Sequence, residues 1–486
     1  MTKIFCLAFI FLMLSSSVVS AQKNCNCESD FLWTKQTFEQ NDAGFQYVID
    51  QKGKASYEAH NAAILAKVKQ AKTTTECTPI LYEWLSFFRK GHIGINLLNN
   101  SNQQQAPTMA DSNVVARHET LPIDETAFKQ KIEALNSPTP EGIWVSEPYT
   151  VGIVKTDSGY SGFIIDAPGT QWKKGQVKLK LYPAADSSYT ANFWMRDFSE
   201  NPNHNVEIIG NNLINVGDIL YLKRQSKNFD DPQSIKDYVQ YLYTGTPYFK
   251  QLSEKTAYIR IPSFDISQKR AIDSVIEANK TAISSTLNLI IDVRNNGGGA
   301  DASFGKLMPY LYTNPVRTVW AELLSTKLNN EAMLQYSKDG RFSENDREEF
   351  KKAYDTLSKN LGKFVRLSDK PVAIETMDTI YPKPANVAII INENNASTTE
   401  EFLLAAKQSK KVKLFGTTTF GSLDISNMYN VKSPCNDFEL WYCRSKSLRI
   451  PDMTIDSKGI QPDYYIDKTI PGHQWVDFVR GVLDDK

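Results

Sequence analysis

Two short apolar runs, Leu287-Asn-Leu-Ile-Ile-Asp-Val and Val387-Ala-Ile-Ile-Ile, constrain the fold more than any other feature of this 486-residue chain. Each is too short for a buried helix and too continuously apolar for a strand with one wet face. Each is followed by Asn- and Gly-rich residues and then by a helix-like segment. With the strand-like Ala257-Tyr-Ile-Arg-Ile and the helix-like residues 268–285, they predict strands alternating with helices from about residue 240 to the end. Such alternation implies an α/β layer around a largely parallel sheet. A charged helical insert is expected near 327–362, and a helix from about Thr398 to Lys410.

The rest of the chain reads differently. Residues 22–135 are predicted to form an N-terminal helical domain, with apolar residues at helical spacing in Tyr57, His60, Ile64, Val68 and Ala71 and in Ile80, Leu81, Trp84, Leu85 and Phe88. Residues 98–115 are mostly polar and suit an exposed loop, with a short helix expected around 124–135. Residues 140–226 predict a small β domain, with strands at 149–154, 162–165, 177–182 and 190–195 separated by Gly, Pro, Asp and Ser. Nothing in it resembles the carboxylate-binding loop of a peptide-capturing PDZ domain.

The first 21 residues predict a secretory signal peptide. Lys3 precedes an apolar run, IFCLAFIFLML, and Val19-Ser20-Ala21 offers small residues for cleavage. The run is shorter than the roughly 20 residues a spanning helix needs. No lipobox precedes Cys25, and no later stretch is apolar enough to span, so export to a periplasm or the exterior is expected. Cys25, Cys27, Cys77, Cys435 and Cys443 then remain in an oxidising compartment. Cys435 and Cys443 could close a hairpin, and Cys25 or Cys27 could reach Cys77. The count is odd, so one thiol stays free or pairs elsewhere. Half a metal site at Cys25-x-Cys27 is the alternative, but no second pair has ligand spacing. Lys+Arg equals Asp+Glu at 55 each, so no global field recommends nucleic acid or anionic lipid as a partner.

Three segments could carry chemistry. In Ile290–Gly299 (IIDVRNNGGG) a strand ends in three glycines, which let backbone N–H groups approach a ligand or simply form a sharp turn. In Asn394-Asn395-Ala396-Ser397 a strand passes into a helix at a serine. Ser397 there is either an exposed nucleophile backed by helix N–H groups or an N-cap, with Glu400 completing a capping box. Gly416–Ser422 (GTTTFGS) is a glycine-punctuated turn. Together and in this order they resemble the tail-specific (carboxyl-terminal processing) serine peptidase family. The matching residues are Asp292, Arg294, Asn296, Gly298 and Gly299, then Ala396, Ser397 and Glu400, then Gly416, Thr419 and Gly421. The resemblance covers about residues 240–466 and implies a crotonase-like peptidase core.

One departure bears on mechanism. The processing branch has a dyad lysine directly after the third motif, where this chain has Ser422. Lys407, Lys410, Lys411 and Lys413 read as surface charges. The chain is closer to the tricorn-like branch, which takes a histidine base from its N-terminal part. Among His60, His92, His118, His204 and His473, only His92 follows a glycine and leads into an apolar strand. Without the resemblance His92 reads as a helix C-terminal cap, where the dipole favours its charge. Lys90 stands where that branch commonly has an acid. The acid before Gly459-Ile-Gln-Pro-Asp463 is Asp456, which by position would orient His92, directly or through a water.

The resemblance thus implies a secreted serine peptidase acting on a peptide or protein substrate. Ser397 would be the nucleophile, His92 the general base and Asp456 the third member. Gly298 and Thr398 N–H groups would form the oxyanion hole, and no cofactor or metal is implied. A non-catalytic peptide- or ligand-binding protein on the same fold is the alternative, and a hydrolase of other acyl substrates would share the chemistry.

Overall fold

A computed structural model describes residues 25–98, 110–184 and 188–485. The predicted signal peptide, 1–21, lies outside these residues, as does most of the predicted loop at 98–115. Among the described residues no helix is long and apolar enough to cross a membrane.

The centre of the fold is a six-stranded sheet. Its order is Tyr248–Gln251, Thr256–Arg260, Asn288–Asp292, Asn386–Ile391, Val412–Gly416 and Tyr464–Tyr465. The first pair is antiparallel and the rest are parallel. Successive side chains of a strand point to opposite faces. Leu289 and Ile291 accordingly pack with Ile272, Ile276 and Phe402 of the helices on one face. Ile290 and Ile390 pack with Val479 and Leu483 of the C-terminal helix Trp475–Asp484 on the other. Burial on both faces is why these strands read as unbroken apolar runs.

A second sheet joins the chain's two ends. Strand Phe438–Ser447 pairs with Ile425–Lys432, with Ala321–Leu324 and with Gly94–Leu97, the last in antiparallel register with Gly94 opposite Trp441. The helices Cys27–Asn41, Phe45–Lys52, Lys54–Val68 and Thr74–Ser86 stack behind this sheet. Their aromatic core, Phe31, Phe38, Trp84 and Phe88, continues into Phe438, Leu440 and Tyr442. The helical segment carrying His92 therefore completes its core with residues more than three hundred positions away. The expected helical insert is present as Lys327–Tyr336 and Glu344–Ser358.

Residues 142–224 form a closed eight-stranded antiparallel barrel, sealed by Trp144 opposite Arg224. Trp144, Leu179, Leu181, Ile214 and Leu222 fill it. The sequence pattern singled out four strands. The four others include Glu200–Ile209, whose run ENPNHNVEII is largely solvent-facing and carries little apolar alternation. The helix expected around 124–135 is Glu125–Glu133, and Ser112–Arg117, partly inside the expected loop, is another; both fall within the 22–135 segment assigned to the N-terminal helical domain but pack on the barrel. Val115 enters the barrel core, and Phe128 and Ile132 cover Phe163.

The cysteines pair as Cys27–Cys77 and Cys25–Cys435, leaving Cys443 buried and reduced. The suggested Cys435–Cys443 hairpin link is thus absent. Most of the residues between them belong to one extended strand, which rises about 3.3 Å per residue. That separation exceeds the roughly 7 Å Cα limit of a disulfide. Neither Cys25 nor Cys27 is left as a metal ligand.

Candidate active site

The glycine loop is anchored beneath the sheet's edge. Asp292 is fully buried and accepts Arg294 Nη2 at 2.7 Å and the Tyr258 hydroxyl at 3.0 Å. Burial alone would raise its pKa, but the Arg294 and Arg260 guanidiniums outweigh this and hold it below the usual carboxylate range. Arg294 lies over the rings of Tyr241 and Trp475 and donates to the Gly472 carbonyl. Asp292 and Arg294 therefore fix the loop's root and do not face the reacting group.

Asn296 ties the loop to the serine helix. Its Oδ1 accepts Phe264 N at 3.1 Å, Gly298 N at 3.0 Å and Thr399 Oγ1 at 2.8 Å. Asn395 Nδ2 donates in turn to the carbonyls of Val293 and Asn296. The two motifs are thus stitched together by buried amides, which must be paired when removed from water.

Gly298, at φ 103, lies directly under the serine: a Cβ there would stand 2.8 Å from Ser397 Cβ and 2.9 Å from Thr398 N. Only glycine permits this approach. Its N–H, however, is engaged by Asn296, which corrects its assignment as an oxyanion donor. The next residue is better placed. Gly299 O accepts Thr398 Oγ1 at 3.0 Å, while Phe264 bonds to the neighbouring Gly298 O and Ala300 N on the opposite side. In the parallel bridge between Phe264 and Gly299 the bonds come from Gly298 and Ala300, so the N–H and C=O of Gly299 both point away from Phe264. Gly299 N–H therefore faces Thr398, and it meets no acceptor among the described residues. Thr398 N–H opens the helix Thr398–Ala406 and has no intrahelical acceptor.

Ser397 is half-buried, with φ 58 and ψ −128. This backbone conformation is one that side-chain-bearing residues avoid, and it persists only where surroundings enforce it. Here Ser397 N donates to Ser422 O at 2.9 Å and to Glu400 Oε2 at 3.2 Å. Glu400 takes part in the capping box expected from sequence, and it is also a buried clamp. Its carboxylate also accepts Thr419 Oγ1 at 2.5 Å, Gly421 N at 2.8 Å and Ser422 N at 2.8 Å. It thereby binds the third motif to the serine turn. Burial raises its pKa, and the donors pull in the opposite direction.

His92 reaches the same turn from the N-terminal segment. A Cβ on its neighbour Gly91 would lie 2.5 Å from Ser422 Oγ, so this segment packs against the residue whose carbonyl holds Ser397. His92 has φ 55. Its Nδ1 lies 2.7 Å from Ile425 O. A carbonyl can only accept, so Nδ1 carries the proton and Nε2 keeps its lone pair. Arg89, in a buried pair with Asp42, donates to His92 O at 3.0 Å. Burial foremost, with the Arg89 charge, lowers the imidazole pKa against the opposing Ile425 bond.

Asp456 does not bond to His92. Its Oδ1 accepts Leu423 N at 2.6 Å and Asp424 N at 2.7 Å, and its Oδ2 accepts Ile425 N at 3.1 Å. The sequence-based third member thus fixes the backbone whose Ile425 carbonyl orients His92. Asp424, which the sequence reading missed, reciprocates by accepting Ile455 N and Asp456 N and pairing with Arg449. Two aspartates thirty-two positions apart carry no local signal of such pairing. Of the surface lysines, Lys413 pairs with Asp463 and Lys411 reaches Tyr381 O.

A cleft of about 850 Å³ separates the barrel residues Asn205, Glu207 and Asp218 from Asn295, Asn392 and Asn394 of the core. It reaches the residues before the serine turn, though Ser397 itself does not line it.

Residues 255–466 match the family model described as Peptidase family S41. Over 81 residues the chain is 36% identical to the "Probable CtpA-like serine protease" of Staphylococcus haemolyticus (strain JCSC1435). That match covers 17% of this chain and 16% of that protein. The crystal structure of mature CPAF is similar with a TM-score of 0.52 at 13% identity, covering 94% of this chain and 96% of that one. Mature CPAF complexed with lactacystin gives 0.50 at 13% identity, over 94% and 97% of the two chains. These two likenesses concern the fold alone. The family match spans Asp292, Ser397, Glu400, the Gly416–Ser422 turn and Asp456, so residues 255–466 are similar in sequence to peptidase family S41.

Proposed function

We propose that this protein is a serine peptidase that cleaves a peptide or protein substrate through an acyl-enzyme on Ser397. The observation that carries the reading is the Ser397 backbone. A serine held at φ 58 between a buried strand and a helix N-terminus sits on the strained strand-to-helix turn that a nucleophile occupies, next to Thr398 N–H at the start of the helix. His92 Nε2 takes the Ser397 proton as the hydroxyl attacks the scissile carbonyl. Thr398 and Gly299 N–H groups receive the developing oxyanion, with Gly298 leaving room for it. His92 then protonates the leaving amine, and water releases the acyl group by the same steps in reverse order. Asp456 acts through Ile425 by holding the carbonyl that fixes the imidazole tautomer.

The proposal includes export. It is supported by the sequence of residues 1–21 and by two disulfides, which persist in oxidising compartments.

Labelling with a fluorophosphonate probe tests the chemistry, because rapid reaction needs an activated serine. The wild type should label rapidly, and Ser397→Ala should lose both labelling and peptide cleavage, the latter by several orders of magnitude. If the alanine variant cleaves at near wild-type rate, Ser397 is not the nucleophile. If the wild type neither labels nor cleaves, a binding protein on this fold is the better account.

A further inference from the structure

Away from Ser397, the first helix and the turn before strand Phe438–Ser447 enclose a pair of carboxylates with no counter-charge. Asp30 lies on the helix Cys27–Asn41 and is 2% exposed. Its Oδ2 is buried and has no hydrogen-bond partner. A carboxylate oxygen of Asp437 lies within 4.8 Å of one from Asp30. Among the described residues, neither carboxylate receives a hydrogen bond or an ion pair. The Asp437 backbone is meanwhile fixed, with its N–H on Ser433 Oγ and its carbonyl accepting Leu98 N. Thr34 follows Asp30 by one helical turn on the same face, and its buried hydroxyl is also unpartnered.

Buried charges are paired or coordinate a metal. Burial, with the Asp437 charge, raises the Asp30 carboxyl to about 6, as expected for a group lacking its cation. Cys435 Sγ belongs to the same cluster but is bonded to Cys25, so the available donors are oxygens. An all-oxygen donor set suits a hard cation, and calcium accepts irregular geometry completed by water. The two disulfides hold the walls: Cys27–Cys77 anchors the helix and Cys25–Cys435 anchors the turn.

We propose that Asp30 and Asp437 bind a calcium ion between the first helix and the turn before strand Phe438–Ser447, with the Thr34 hydroxyl as a further ligand. The ion would latch the helical segment that carries His92 to the sheet it packs on. With only two carboxylates, the Kd should fall near roughly 0.1–1 mM, the range of extracellular modules. The site is independent of the serine chemistry.

The test uses the full mature chain, stripped with chelator and dialysed against calcium chloride at pH 7.5. The wild type should retain a calcium ion that Asp30→Asn binds at least tenfold more weakly. At calcium tenfold above Kd, the unfolding equilibrium should shift about tenfold toward the native state, read as a raised Tm in the wild type only. Asp437→Asn, which leaves the helix untouched, should behave like Asp30→Asn and covers the case in which the latter misfolds. No retained calcium in the wild type overturns the site, as does equal uptake with an equal Tm rise in both variants. Magnesium chloride should bind at least tenfold more weakly, and equal binding overturns the assignment to calcium.

Discussion

His92 is oriented by a main-chain carbonyl, while its burial sets its pH behaviour. Burial and Arg89 favour the neutral imidazole, so its pKa is lowered from 6.5. A general base works in its deprotonated form. The kcat/KM of peptide cleavage should therefore rise with pH, reach half its plateau below 6.5 and be level by neutrality. A half-maximum above 7 would argue against His92, since a histidine stabilised as a cation or a lysine base would titrate there. Two other histidines have structural surroundings. His60 stacks on Phe87, and His118 sits among Trp172, Trp194 and Phe198 of the barrel.

At the scale of elements, the serine helix and the Gly416–Ser422 turn are one unit through Glu400. Glu400→Gln keeps the shape but replaces one acceptor oxygen with an amide that faces donors. A buried donor left unsatisfied costs about 1–3 kcal/mol, so in a chain of this length Tm should fall by about 1–3 °C. Labelling of Ser397 should slow as well, because Ser422 O positions its N–H. Unchanged Tm and labelling would show that the turn holds itself. The same geometry answers whether a lysine at the family's dyad position could act here. Ser422 is buried against Gly91, with no space for a longer side chain unless the His92 segment moves. His92→Ala should be inactive, and adding Ser422→Lys should not restore cleavage. Recovery of a tenth or more of wild-type activity would mean that the site retains dyad geometry.

At the scale of the whole molecule, the peptidase segment is not self-sufficient. Strand Gly94–Leu97 pairs with Phe438–Ser447, and the N-terminal helices cover that strand's Phe438, Leu440 and Tyr442. A fragment starting at residue 240 lacks His92 and exposes this apolar face. It should fail to label with fluorophosphonate and should aggregate or unfold at lower temperature than the full chain. Normal labelling by the isolated fragment would place the base within residues 240–486.

The α/β class was legible because strands buried on both faces must be apolar throughout, and local runs record that. The three motifs were legible because glycine, asparagine and serine are needed where backbone must approach closely or turn sharply. Ser397, His92 and Asp456 stood out as candidates, but their relations could not be read from their positions. His92 is oriented by Ile425 O and Ser397 N–H is held by Ser422 O, and every residue type offers the same carbonyl. The donor beside Ser397 shifted from Gly298 to Gly299 because Asn296 engages one N–H and leaves the other, a choice made by side-chain direction. The pairing of Cys25 with Cys435 and the barrel's polar strands were also decided in three dimensions, where distant segments meet. Sequence determined which local conformations were possible, and the tertiary structure decided which backbone groups remained free to act.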